Sequence, residues 1–171
     1  MNGPEEFKYC PYCKTKLEEK EIEGRVRAFC PSCNYIHYIN PLPSAGAIAF
    51  NEENKIILIK RGREPAKGLW APPSGFIEIG ETTEDACLRE LKEESGVDGE
   101  IVNLLSVYTK NAGFYGDVLI IMYIVKVISG DLVAGDDADA VGFFDFNEIP
   151  EFPFPCFNDA VIKAKEFLNV R

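Results

Sequence analysis

No run of eighteen apolar residues occurs in this chain, so no segment reads as a membrane-spanning helix. The opening residues, MNGPEEFKYC, offer neither a basic n-region nor an apolar h-region. No secretory signal is read there, and the cytoplasm is the expected compartment. Positive charge is in deficit: 18 Lys and Arg face 28 Asp and Glu, a net charge of −10. Residues 1–40 are balanced, with six basic and six acidic groups, so the whole excess lies in residues 41–171. Such a domain repels bare phosphate backbones, which argues against nucleic acid as the main partner. Solubility alone is a sufficient reason for the charge. A small phosphorylated substrate stays compatible with it, because bound divalent cations reverse the local sign. Internal repeats and low-complexity tracts are also lacking.

What is present is an ordinary globular composition, 46% hydrophobic and 27% charged, in 171 residues. That suits one medium domain plus a small appendage. The junction NPLPS at 40–44, with Pro41 and Pro43, reads as a stiff connector between residues 1–40 and 41–171. In the second region, 45–50 and 55–60 read as strands joined by the polar turn 51–54. Residues 61–74, rich in Gly and Pro, read as loop. A helix runs from a cap at Thr82 or Thr83 to about Ser95, with Asp85 at capping-box spacing from Thr82 and Gly96 as the closing residue. Strands are expected near 100–108, 117–128 and 141–146, and Asn158 or Asp159 is the expected cap of a terminal helix. Mixed strands and helices of this kind suggest a sheet sandwiched between helices.

Glu90, Glu93 and Glu94 fall at i, i+3 and i+4, so they share one helical face. Three carboxylates at that spacing repel each other unless cations sit among them, and carboxylate oxygens are what Mg²⁺ and Mn²⁺ prefer. Leu88 and Leu91, with Cys87, lie toward the other side and would hold the helix against a core. The glycine-rich loop before the helix lets backbone approach a ligand. An acidic surface helix facing water is the ordinary alternative for the three glutamates taken alone.

The whole segment is more specific. GFIEIGETTEDACLRELKEESGV, residues 75–97, resembles the box of the Nudix hydrolases. The matching places are Gly75, Glu81, Arg89, Glu90, Leu91, Glu93, Glu94, Gly96 and Val97, a coincidence rarer than roughly one in a million. GLWAPPSG at 68–75 resembles the family's lead-in, with Ser74 where many members have Gly, and the likeness extends over roughly residues 44–170. The resemblance implies a Nudix α/β/α sandwich with a mixed sheet, a Mg²⁺ or Mn²⁺ requirement, and hydrolysis of a nucleoside diphosphate linked to another group. It implies that Glu90, Glu93, Glu94 and the backbone carbonyl of Gly75 ligate metal, and that Glu81 pairs with Arg89. The general base is either a helix glutamate or one of Asp136, Asp137 and Asp139, where a polar turn is the plainer reading.

Cys10, Cys13, Cys30 and Cys33 form two C-x2-C pairs separated by sixteen residues, a spacing that suits one structural Zn²⁺. Disulfides or redox dithiols are the rivals. His37, the single histidine, would pack or hydrogen-bond once four thiolates fill the shell. Cys87 and Cys156 read as free thiols in or near the core. A zinc ribbon leading into such a domain is similar to a subgroup of NADH and FAD pyrophosphatases. The Ser-Gln-Pro-Trp-Pro-Phe-Pro segment that marks the NADH enzymes is missing: residues 98–110 read DGEIVNLLSVYTK, and FPFP at 152–155 lies too late. FAD, ADP-ribose or a dinucleotide is therefore the expected substrate class. Clearance of damaged nucleoside triphosphates and a non-catalytic nucleotide-sensing module are the alternatives. Trp70, Phe114 and Tyr115 could flank a base, and Arg61, Arg63 and Lys67 could reach phosphates, with packing or solvent exposure as the plain readings. Neither a membrane nor nucleic acid is expected as partner, and a homodimer is left open.

Overall fold

The computed structural model describes residues 7–113, 116–135 and 137–170. Phe114, Tyr115 and Asp136, named above as candidates, lie outside the described residues. The chain forms two compact units, Met1–Leu42 with Asn111–Val118, and Pro43–Lys110 with Leu119–Arg171.

The first unit carries strands β1 (Glu18–Ile22), β2 (Arg25–Phe29) and β3 (Ile36–His37), in an antiparallel sheet of order β1-β2-β3. Two turns of the same design precede β1 and β3. In each, the first cysteine of a pair accepts from the residue four places on: Lys14 N–H donates to the Cys10 carbonyl and Asn34 N–H to that of Cys30, both at 2.9 Å. Lys14 and Asn34 take left-handed φ of 60° and 61°. The buried apolar cluster of this unit is Cys10, Leu17 and Cys30. That is too small a core to hold a fold without a cross-link or a metal.

The second unit is an α/β/α sandwich around a mixed sheet. The elements that lie wholly or mostly in it are β4 (Leu42–Phe50), β5 (Ile56–Arg61), β6 (Trp70–Ala71), β7 (Ser74–Phe76), α1 (Thr83–Ser95), β8 (Asp98–Asn111), β9 (Asp117–Ser129), β10 (Ala138–Phe144) and α2 (Pro155–Phe167). The strand order is β10-β5-β4-β9-β8, with β6 on β5 and β7 on β4. Ala45, Ala47 and Ala49 of β4 alternate inward onto Ala86, Cys87 and Leu91 of α1. Their small side chains let the helix lie close to the sheet. Ile101 joins that cluster, whereas Ser106 and Tyr108, of opposite parity on β8, hydrogen-bond Lys163 and Asp159 of α2. The two helices thus cover opposite faces.

Helix α1 begins where the local chemistry directs. Thr82 caps it, and its backbone and side chain exchange hydrogen bonds with Asp85. Gly96 ends it at φ 80°, the left-handed region where a side chain would be strained. Two expectations fail. Residues 61–74 are not wholly loop, since β6 and β7 form there. Each is two or three residues long and held by pairing with β5 and β4, a tertiary cause that leaves no periodicity. Helix α2 is not capped by Asn158 or Asp159: it starts at Pro155, with Phe154 as N-cap. Pro at the first helical position lacks only an N–H that would have no partner, and its φ is already helical. The Asp159 carboxylate accepts instead from the Tyr108 hydroxyl at 2.7 Å.

Candidate active site

Within α1 the buried residues include Cys87, Leu91 and Glu94, which are spaced i, i+4, i+7 along one stripe. Glu94 is therefore carried to the edge of the core, at 8% exposure, while Glu90 is half-buried and Glu93 exposed. The three glutamates share a helical side but not an environment. Ser74 N–H on β7 donates to Glu94 Oε2 at 2.9 Å. Ser74 keeps an ordinary negative φ, so the position has no backbone need for the Gly of the usual lead-in.

Gly75, next on β7, lies against Glu90: a Cβ built there would collide with the Glu90 carboxylate. Arg89 ties the loop to the helix. Its Nε and Nη2 donate to the two Glu81 oxygens at 2.6 and 3.0 Å, and Nη2 also donates to the Phe76 carbonyl at 3.0 Å. Nη1 reaches Glu90 Oε1 at 2.6 Å and Glu93 Oε2 at 3.0 Å. Arg89 thus relieves the repulsion between Glu90 and Glu93.

The carboxylates differ in proton affinity accordingly. Hydrogen bonds from Arg89 and from the Glu78 N–H hold Glu81 below the usual range. Burial pushes Glu90 up, against the pull of Arg89. Burial pushes Glu94 up to about 7, opposed by the Ser74 N–H and reinforced by the negative charge of Glu90. A buried carboxylate in this state gains from a cation at its side.

Two adjoining cavities open here. One, of about 300 Å³, is lined by Arg61, Arg63, Ser74, Gly75, Phe76, Glu78, Glu90, Glu94 and Asp137. The other, of about 500 Å³, shares Arg63, Glu90, Glu94 and Asp137 and adds Glu93 and Gly135. The donor set is oxygen-rich and anionic, which suits Mg²⁺ or Mn²⁺, and the absent side chain at Gly75 is what gives the Glu90 carboxylate room beside the loop. These residues fit such an ion. Glu78, which lines the first cavity, was not singled out from the sequence. Lys67, Trp70 and Asp139 line neither cavity. Trp70 packs edge-on against Phe144, with ring centroids 4.8 Å apart.

A stability profile follows from Glu94. Between about pH 4.5, its ordinary value, and about 7, the folded state holds a proton that the unfolded state releases. The folded state therefore loses stability as pH rises through that window, by an amount on the order of 3 kcal/mol. Glu90 acts in the same direction. Urea unfolding without added Mg²⁺ or Mn²⁺ should show this decline from pH 5 to 7.5, and Glu94→Gln should flatten it. A decline unaffected by that substitution contradicts the assignment.

In the other unit, the Sγ atoms of Cys10, Cys13, Cys30 and Cys33 all lie within 4.8 Å of one another, the one such ligand group among the described residues. Three of the separations are 3.4, 3.5 and 3.6 Å. A tetrahedral zinc–thiolate site, with Zn–S of about 2.3 Å, has edges of about 3.8 Å, so the four thiols fit Zn²⁺. Hydrogen bonding with the Thr15 side chain and backbone pulls the Cys13 thiol down to about 6. His37 stands apart from the set: its Nδ1 lies 3.3 Å from the Tyr35 hydroxyl, and its ring packs on Phe7 at 4.4 Å. Cys87 is buried in the core, and its thiol is pushed up to about 12 by that burial. Cys156 is half-buried. No helix among the described residues is long and apolar enough to cross a membrane.

Comparison with known proteins identifies two families along the chain. Residues 40–164 match the family described as NUDIX domain, and residues 8–39 match the zinc-ribbon family described as Nudix N-terminal. An ADP-ribose pyrophosphatase of Methanocaldococcus jannaschii is 44% identical over 121 residues, 70% of this chain and 71% of that protein. A NAD-capped RNA hydrolase NudC of Chromobacterium violaceum is 30% identical, over 86% of this chain and 54% of that protein. The chain spans about half the length of the NudC relatives it matches. A solved NUDIX hydrolase from Nitrosomonas europaea superposes with a TM-score of 0.81 at 30% identity, covering 96% of this chain and 94% of that one.

Proposed function

The chain belongs to the Nudix hydrolase family, with an N-terminal ribbon of the zinc type, and from that premise we propose that it splits the diphosphate bond of a nucleoside diphosphate linked to another group. The observation that carries this reading is the cleft itself. A buried and a half-buried carboxylate, Glu94 and Glu90, share its lining with two guanidinium groups, Arg61 and Arg63. A diphosphate held together with a divalent cation would call for both kinds of charge.

Glu90, Glu93, Glu94 and the carbonyl of Gly75 are the assigned holders of Mg²⁺ or Mn²⁺. Such an ion, when bound, activates water and neutralises phosphate charge. The chain's own residues do the rest. Ser74 N–H fixes one oxygen of Glu94. The Glu81–Arg89 pair, with the Arg89 bond to the Phe76 carbonyl, braces the loop on α1. Water attacks one phosphorus, the bridging oxygen departs, and the products are AMP and a second phosphomonoester. Cys10, Cys13, Cys30 and Cys33 hold a structural Zn²⁺ in a ribbon of residues 1–40, ahead of the hydrolase domain, 41–171.

ADP-ribose and FAD are placed ahead of NADH and of nucleoside triphosphates. The similarity to an ADP-ribose pyrophosphatase supports the first, and the absence of the NADH-enzyme segment supports the order. The charge of −10 favours a small substrate over an RNA body. A side-by-side comparison of kcat/KM for ADP-ribose, FAD, NADH and an oxidised nucleoside triphosphate tests the order. NADH or the triphosphate winning over both others by more than about tenfold, or roughly 1.4 kcal/mol of transition-state binding, reverses it.

A further inference from the structure

The two cavities meet at an ion pair. Arg63 Nη2 lies 2.6 Å from Asp137 Oδ1, and both residues line both spaces beside Glu90 and Glu94. The backbone beneath the pair is fixed. Gly62 N–H donates to the Asp137 carbonyl at 2.8 Å, and Ala138 pairs with Arg61 across β10 and β5. The side chains above it are 68% and 47% exposed, so water screens their attraction and the pair is readily exchanged.

The other guanidinium groups nearby are more committed. Arg89 bonds Glu81, Glu90, Glu93 and the Phe76 carbonyl. Arg61 gives its Nε to the Pro65 carbonyl at 2.9 Å. Arg63 is therefore the cation of the cleft best able to change partners, and a planar guanidinium matches a phosphate through two parallel N–H bonds.

We propose that Arg63 grips the substrate's diphosphate and that Asp137 is its resting counter-ion, displaced when the phosphate arrives. The inference rests on reading the cleft as a diphosphate site, and it makes Arg63 a binding residue and Asp137 a brake on affinity. A bound diphosphate then leaves the Asp137 carboxylate facing the same space as Glu90 and Glu94.

The test is equilibrium binding of α,β-methylene-ADP-ribose, a non-hydrolysable probe, to the full chain by calorimetry with Mg²⁺ present. Arg63→Gln should weaken binding about tenfold or more, and Asp137→Asn should tighten it about threefold. The double variant should match Arg63→Gln, because Asp137 acts only through Arg63. Arg63→Gln within about twofold of wild type overturns the proposal. So does a gain from Asp137→Asn that persists without Arg63, or a failure of Asp137→Asn to bind the probe. Hydrolysis of ADP-ribose by wild type with Mg²⁺ is measured alongside. The expected binding pattern without hydrolysis would remove the proposed activity and leave the exchange at Arg63 standing.

Discussion

Glu94→Gln will lower turnover at least about a hundredfold and, in the same protein, raise stability at pH 8 when no Mg²⁺ or Mn²⁺ is added. Both effects have one cause. Glu94 lies at 8% exposure on the buried stripe of α1, with one oxygen held by the Ser74 N–H. At pH 8 it is ionised at a site that resists ionisation, since burial has pushed its carboxyl up to about 7. Glutamine keeps an oxygen for Ser74 and removes the buried charge, which returns stability on the order of 3 kcal/mol. On the proposed reading, the same change would also take away a ligand of the divalent ion and with it the charge stabilisation that such an ion would supply. Turnover is measured on any substrate the wild type accepts, and stability by urea unfolding. Near-normal turnover of the folded variant would contradict the role given to Glu94.

The second large effect concerns zinc. Protein purified without added metal should hold one Zn²⁺ per chain, and Cys30→Ser should lose it along with the order of the ribbon. Cys30 and Cys10 are among the three buried members of that unit's apolar cluster, so metal and core are removed together. Structural zinc supplies on the order of 10 kcal/mol of folding free energy in segments of this size, far more than three small buried side chains can replace. Elemental analysis and limited proteolysis of residues 7–39 read the two parts. Less than about half an equivalent of zinc in the wild type, or a mapped disulfide under reducing conditions, would exclude the assignment.

Local chemistry made α1 legible from sequence. Thr82, Asp85 and Gly96 are signals that act within four residues of themselves, and each does in the fold what its type dictates. The turns around the cysteine pairs are local in the same way. Short strands β6 and β7 were not legible, because pairing with β5 and β4 creates them. The start of α2 was misread for a related reason: Asp159 has the chemistry of a cap, but a tertiary partner, Tyr108, takes its carboxylate, and Pro155 opens the helix instead. Glu94 is a middle case. Its spacing from Cys87 and Leu91 already marked it for the core side, yet the three-glutamate pattern drew it with Glu90 and Glu93 onto one open face. The Arg63–Asp137 pair joins residues remote in sequence, and no local signal could have matched them.

The most direct test of the central claim is hydrolysis of ADP-ribose by the purified chain in ¹⁸O-labelled water with Mg²⁺ or Mn²⁺, read by mass spectrometry of the products. The expected result is AMP and ribose 5-phosphate, ¹⁸O in the phosphate of one of them, and loss of the reaction when the divalent ion is withheld or Glu94 is replaced by Gln. Failure to cleave ADP-ribose and every other nucleoside-diphosphate derivative offered, or equal cleavage by wild type and Glu94→Gln, would contradict it.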